Sequence, residues 1–201
     1  MTAIPLGPAD AAATARLATV AMEPALLVRV SGFTTNEPYF AASGANRFDA
    51  PGCPASPEFA TCYFGTNLIV ALAETVLHDD LPDAGFFRLA RSRFVGKHVL
   101  RFAGETLIVA DLTGPHLKRL GGHADLSGTG NYSVAQAWSL AVHRNPGEYD
   151  GFTYMSRHIN DQRAVVLFDR ARAKLALASY GKLLLDPDFA TAADKLGIIL
   201  P

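Results

Sequence analysis

The apolar positions of this chain fall in short runs whose period changes along its length. Leu26-Leu27-Val28-Arg29-Val30 reads as a strand, with Leu27 and Arg29 on one face and Leu26, Val28 and Val30 on the other. Cys62-Tyr63-Phe64 reads as a second short strand. Thr66 or Asn67 then caps an apolar helix that runs to His78. After a turn over 79–85, two strands are predicted near 93–102 and 106–111, then a short helix or turn over 116–120. Residues 121–130 hold four glycines in ten and read as a mobile loop. Helical period returns over 132–143, with Val134, Ala137, Trp138 and Ala141 on one face, and Asn145-Pro146-Gly147 ends it. Strands follow over 152–155, 164–168 and 174–179, and a small helix over 188–198. Residues 43–46 and 49–57 read as loops, and the Ala-rich stretch 9–20 as a helix or a loose arm. Short strands among separated helices predict an α+β fold. No repeat or linker divides the 201 residues, so one domain is expected.

Composition narrows the function classes. Nearly half the residues are apolar, which gives a well-buried globular chain. Basic and acidic side chains balance at 18 against 19, so no electrostatic case exists for nucleic acid or an anionic membrane. The apolar runs are too short to span a bilayer, and the first residues lack the basic region of a signal peptide. The two cysteines, Cys53 and Cys62, have no metal-like spacing and are expected as reduced thiols in the cytoplasm.

One residue breaks the pattern. Glu74 follows the apolar run Leu68–Ala73, and its helical neighbours at three and four positions are Val70, Ala71, Leu77 and His78. A carboxylate there sits at the rim of the core or is buried with a partner. Arg29 and Arg47 are the candidate partners. Each has an ordinary reading as well: a helix acid on a surface cation, a strand arginine whose stem lies along the sheet, a loop arginine. Ser156 follows a strand, where a turn hydroxyl is ordinary, and Ser133 opens a helix, where a first-turn serine is ordinary. The six histidines show no pair at metal-ligand spacing on one predicted helix, so no metal is expected; His158, after Ser156 and Arg157, is placed to lie near a site, with an ordinary surface histidine the favoured reading. Phosphate-loop, dinucleotide-fingerprint, zincin and nucleophile-elbow patterns are missing.

The order of these segments resembles the RES domain family, named for its arginine, glutamate and serine. The matching pieces are Leu27-Val28-Arg29-Val30, then Gly44-Ala45-Asn46-Arg47-Phe48-Asp49-Ala50-Pro51, then Tyr63-Phe64-Gly65-Thr66 leading into Ala71-Leu72-Ala73-Glu74-Thr75. Tyr132-Ser133, Asp150–Arg157 and Val165–Phe168 complete the set, which spans about residues 27–168. The resemblance implies an ADP-ribosyltransferase-like split, curved β-sheet around a cleft. It implies a bacterial toxin that consumes NAD⁺ as substrate, held in check and assembled by an antitoxin protein carrying a DNA-binding domain. Arg29, Arg47 and Glu74 match the family's Arg and Glu positions, and the serine is Ser133 or Ser156.

On that resemblance the reaction is cleavage of the nicotinamide–ribose bond, by an NAD⁺ phosphorylase or glycohydrolase. Glu74 would stabilise the oxocarbenium-like ribose. Arg29 and Arg47 would bind the pyrophosphate, and the serine would hold a ribose or phosphate oxygen. Tyr39, Phe48 and Tyr63 are candidates to stack on a base. No resident cofactor is expected, and inorganic phosphate is a candidate co-substrate. The alternatives are a transferase that modifies a protein, and a non-catalytic partner-binding domain in which Glu74 is sealed against an arginine.

Overall fold

The computed structural model describes residues 5–7, 9 and 14–201. In chain order its strands are β1 (Thr19–Met22), β2 (Val28–Ser31), β3 (Thr61–Gly65), β4 (Phe87–Arg88), β5 (His98–Gly104), β6 (Leu107–Leu112), β7 (Gly151–Met155), β8 (Arg163–Phe168), β9 (Leu175–Lys182) and β10 (Ile198–Ile199). Eight of them form one sheet in the order β1-β6-β7-β8-β3-β2-β5-β9, while β4 and β10 make a separate pair. Within the large sheet β6 and β7 run parallel and every other pairing is antiparallel.

That order forces curvature. β5 and β6 are joined by Glu105 and Thr106 alone, yet each is second from an opposite edge of the sheet. Such a short link spans the gap only if the sheet rolls until its ends face each other. The inside of the roll is one cluster that draws Leu100 and Phe102 from β5, Leu107 and Val109 from β6, and Phe64 and Val165 from the strands between. Gly104 makes the corner: its φ is +137°, and a Cβ there would lie 2.0 Å from the Lys174 carbonyl oxygen.

The sheet is also split. β2 and β3 pair only at Val28 and Gly65. Beyond that point they diverge, and the returning chain fills the wedge, with Ala41 bridging Thr61 through two 2.9 Å backbone hydrogen bonds. Arg29 reaches across from β2 and donates from Nη1 to the Tyr63 carbonyl at 3.1 Å. A side chain thus supplies a donor that the diverging backbone no longer offers.

Helices cover the outside of each half. α1 (Leu68–Thr75) and α5 (Phe189–Leu196) pack on the β2–β5 half, around Val30, Leu72, Val99 and Phe189. α4 (Tyr132–His143) packs on the β6–β8 half through Trp138 and Val142, beside the short helices α2 (Gly114–Arg119) and α3 (Asp125–Gly128). Asn67 caps α1, its Oδ1 accepting the Val70 N–H at 3.1 Å. Gly65 lets α1 sit close on the end of β3, because a Cβ there would lie 2.6 Å from the Ala71 nitrogen.

The α+β class is the one expected from the sequence pattern, and the split, curved sheet is the one the family resemblance implies. Local details differ. The strand expected over 26–30 begins at Val28, after a 3-10 turn over Pro24–Leu26. The strand expected from 93 begins at His98, after a second such turn over Arg91–Arg93. The 121–130 stretch contains α3, pinned by buried Leu126 and Ser127. The buried face of α4 is Ala135, Trp138, Ser139 and Val142, one step from the expected one, because the Ser139 hydroxyl enters the core and donates to the Phe48 carbonyl at 2.8 Å. The arm expected over 9–20 runs into β1 at Thr19, and residues 10–13 lie outside the described ones. Cys53 and Cys62 are free thiols. Among the described residues no helix is long and apolar enough to cross a membrane.

Candidate active site

Glu74 enters from the last turn of α1, where Leu72 and Ala73 anchor the helix in the core and leave the carboxylate half-buried. Ser156, which follows β7, is 1 % exposed, and its Oγ donates to Glu74 Oε1. The same Oγ accepts the N–H groups of His158 at 3.2 Å and Ile159 at 3.0 Å, so one hydroxyl fixes both the carboxylate and the turn beyond β7.

Arg47 sits on a loop organised by Asp49. The Asp49 carboxylate is fully buried and accepts from Ser43 Oγ, Gly44 N, Asn46 N and Thr61 Oγ1 at 2.6–3.2 Å. This explains the local Arg-Phe-Asp-Ala-Pro sequence: the aspartate knots the loop, and the arginine is displayed by it. The Arg47 guanidinium lies 4.6 Å from the centre of the Tyr132 ring at the start of α4. Nη1 donates to the Thr129 carbonyl, while Nη2 is buried with no hydrogen-bond partner. Burial pulls the Arg47 pKa down, and nearby Arg157 adds to this; the group stays protonated at neutral pH.

Arg29, on β2, donates from Nε to Glu37 Oε2 at 3.2 Å. Glu37 also accepts from Ser31 Oγ at 2.7 Å and Tyr39 N at 3.0 Å, which ties the segment bearing Tyr39 to the sheet. A cavity of about 290 Å³ lies between the halves, walled by Arg29, Tyr39, Arg47, Tyr63, Glu74, His78, Tyr132, Tyr154 and Arg157. A second cavity of about 390 Å³ shares Ser127, Tyr154 and Arg157 with it and reaches Ser156. Both fall in or near the size range of small-molecule sites, which begins at about 300 Å³.

Strand, loop and helix therefore bring Arg29, Arg47 and Glu74 to one cavity. The partners differ from those expected. Glu74 is held by Ser156 rather than by an arginine, and Arg29 is committed to Glu37. Ser156 lies in the site. Ser133 is exposed on the first turn of α4, donates to Asn131 Oδ1 at 2.8 Å, and lines neither cavity. Phe48 lines the inner wall of the cavity. It is fully buried against Tyr154 and Phe152, with ring centres 4.7 and 5.0 Å away, and shows no free face for a base to stack on. Tyr39, 59 % exposed, keeps a face free. The Tyr63 hydroxyl accepts the Phe48 N–H at 2.9 Å, and burial pushes its pKa well up, so the phenol stays neutral.

Sequence reasoning passed over Glu37, His78, Tyr132, Tyr154 and Arg157, and read His158 as a surface histidine. Two signals were available: His78 stands four residues after Glu74, in a helix expected to run to His78 that the structure ends at Thr75, and Tyr132 opens a helix next to a glycine-rich segment. His158 is half-buried instead, its ring centre 5.0 Å from that of His78. Glu74, His78 and His158 each offer a ligating atom within 4.8 Å of the others.

Comparison with protein families matches the RES domain over residues 26–186. Comparison with curated proteins finds no match. Among solved structures, the chain is similar to one in the crystal structure of the M. tuberculosis MbcT–MbcA toxin–antitoxin complex. The TM-score is 0.64 at 14 % identity, over 92 % of this chain and 96 % of that one. At this identity the likeness is one of fold.

Proposed function

The chain belongs to the RES domain family, and on that premise we propose that it is a toxin of a toxin–antitoxin pair that breaks the nicotinamide–ribose bond of NAD⁺. The observation that carries the reading is the charge arrangement of the cavity. A carboxylate fixed by Ser156 and a buried guanidinium with one unpartnered nitrogen face the same space. NAD⁺ presents the complement, an anionic pyrophosphate and a ribose that becomes cationic as nicotinamide leaves.

Nicotinamide departs with the bonding electrons and becomes neutral, so no general acid is required. Glu74 stabilises the positive charge developing on the ribose, and Ser156 keeps its carboxylate from turning away. Arg47 takes a pyrophosphate oxygen through Nη2, and the Tyr132 ring beneath fixes the plane of the guanidinium. Arg29 has two nitrogens committed within the protein, to Glu37 and the Tyr63 carbonyl, and serves as a positioning residue for the Tyr39 segment. Tyr39 is the remaining platform for a base at the mouth. Water or inorganic phosphate then attacks the ribose. The open cavity beside Glu74 favours this reading over a partner-binding domain with a sealed ion pair. A transferase acting on a protein would share every residue named and differ in acceptor.

The test is incubation of the pure chain with NAD⁺, with and without phosphate, and identification of the products. Free nicotinamide with ADP-ribose or its phosphate is expected. Glu74→Gln, shape-preserving and uncharged, should stay folded and lose on the order of 10²-fold in rate. Undiminished turnover in folded Glu74→Gln, or no nicotinamide release by the parent, overturns the reading.

An enzyme that consumes NAD⁺ requires restraint, and we propose an antitoxin protein that covers the cavity mouth. DNA binding would belong to that partner, since this chain carries a formal charge of −1. Co-expression with the neighbouring gene product should relieve growth arrest and yield a complex that no longer turns over NAD⁺. A complex that retains full turnover refutes the covering role.

A further inference from the structure

We propose that Glu74, His78 and His158 form a binding site for a zinc-class divalent cation beside the cavity. The three come from two segments that Ser156 locks together. Glu74 stands in the last turn of α1, and His78 follows it by four residues in the turn beyond the helix end at Thr75. His158 is carried on the turn whose backbone the Ser156 hydroxyl holds, and the same hydroxyl holds Glu74. The ligating atoms lie within 4.8 Å of one another. Ligand bonds of about 2.0–2.2 Å around zinc require closer spacing, which side-chain rotation can supply. The His78 side chain is 39 % exposed, and its Nε2 lies 3.9 Å from the Asp79 carboxylate.

A second observation points to a ligand. His158 Nε2 is buried with no hydrogen-bond partner. A buried polar nitrogen in that condition is costly unless something binds it. Two imidazoles and one carboxylate, with a position left for a small molecule, suit zinc and its neighbours rather than calcium or magnesium, which take oxygen ligands. His123 Nε2 is likewise buried without a hydrogen-bond partner, but neither His123 nor His116 belongs to such a group among the described residues.

The site has a functional consequence that rests on the NAD⁺ reading, whereas metal binding itself does not. A dication on Glu74 occupies the carboxylate that the ribose cation needs and places positive charge where positive charge must develop. Zinc is therefore an inhibitor, competitive with NAD⁺, and not a resident cofactor.

The experiment is equilibrium dialysis of the chelator-treated full chain against Zn²⁺, with the visible spectrum of the Co²⁺-loaded chain as an independent readout. The expected result is one metal per chain and the Co²⁺ bands of a four-coordinate site. His78→Ala and His158→Ala should each weaken Zn²⁺ binding by about 10-fold or more, while His116→Ala leaves it unchanged. Melting curves establish that the variants are folded. The exposed His78 keeps the test decisive if His158→Ala unfolds. No stoichiometric binding by the parent chain, or unchanged affinity in folded His78→Ala, overturns the proposal. Nicotinamide release in the presence of chelator tests the enzyme reading separately. A chain that turns over NAD⁺ and binds no zinc defeats only the metal site, and one that binds zinc without turnover defeats only the enzyme.

Discussion

Replacing Ser156 with alanine isolates the group on which the site is hung. The substitution removes one hydroxyl that makes three hydrogen bonds, one given to Glu74 and two taken from the backbone at His158 and Ile159. A hydrogen bond to a charged group contributes roughly 1.5–3 kcal/mol and a neutral one about 1 kcal/mol. Glu74 is half-buried, so water recovers part of the first, and the two backbone donors follow a residue that is 1 % exposed. We expect a loss of about 3 kcal/mol, which at this chain length lowers Tm by roughly 6–12 °C. The assay is thermal melting of Ser156→Ala, Glu74→Gln and the double variant. If the serine and the carboxylate form one unit, the double variant costs less than the sum of the singles by at least about 1 kcal/mol. Turnover should fall in Ser156→Ala through kcat more than KM, because Glu74 loses its orientation while Arg47 keeps its hold on the substrate. A Tm within about 1 °C of the parent, or additive single and double variants within about 0.5 kcal/mol, would refute this account of Ser156.

Burial pushes the Cys62 thiol up to about 12 from its ordinary 9.0. In the native protein at pH 8 a thiol reagent should therefore label the half-buried Cys53 alone, with Cys62 reacting after denaturation; equal labelling rates would contradict this. The unfolded thiol ionises near its ordinary value, so stability from this residue is full below pH 9 and is lost as the pH rises toward 12; a Cys62→Ala melt that tracks the parent through that range would show no such linkage. Gly65→Ala forces a Cβ against the Ala71 nitrogen and should displace α1, costing about 1–3 kcal/mol and lowering NAD⁺ turnover with it. Gly181→Ala, with nothing within 4 Å of the added atom, is the control, and equal melting of the two variants would remove the packing argument.

How far the sequence was legible follows from the range of the interactions involved. α1 and α4 were visible because their signals are local: Asn67 as cap, the apolar run before Glu74, and the Asn-Pro-Gly stop after Arg144. β7 and β8 were visible as short apolar runs. The roll of the sheet was not, because nothing local says that β5 and β6, two residues apart, belong near opposite edges. The core face of α4 was misplaced because Ser139 enters the core to meet a loop carbonyl. Phe48 reads as a platform because aromatics in loops often meet ligands, and only the packing of Phe152 and Tyr154 shows that it has no free face. Arg29, Arg47 and Glu74 stood out as charges in apolar or glycine-rich segments. Their partners Glu37, Tyr132 and Ser156 are ordinary polar residues until the fold brings them together, and the same holds for His78 and His158.

Where β2 and β3 part, backbone pairing between the halves of the molecule ends, and side chains reach across the cleft instead. α1 brings Glu74 from one side; Ser156, Tyr132 and the Arg47 loop stand on the other. A molecule spanning carboxylate and guanidinium is then a strut across a seam as well as a guest. Filling the cleft should slow amide exchange in β2 and β3 beyond Val28 and Gly65 and raise Tm with ligand concentration, without any change of shape. The same holds for a protein laid over the mouth: it would brace the fold as it covers the cleft, so that its loss leaves a chain that is easier to unfold and degrade.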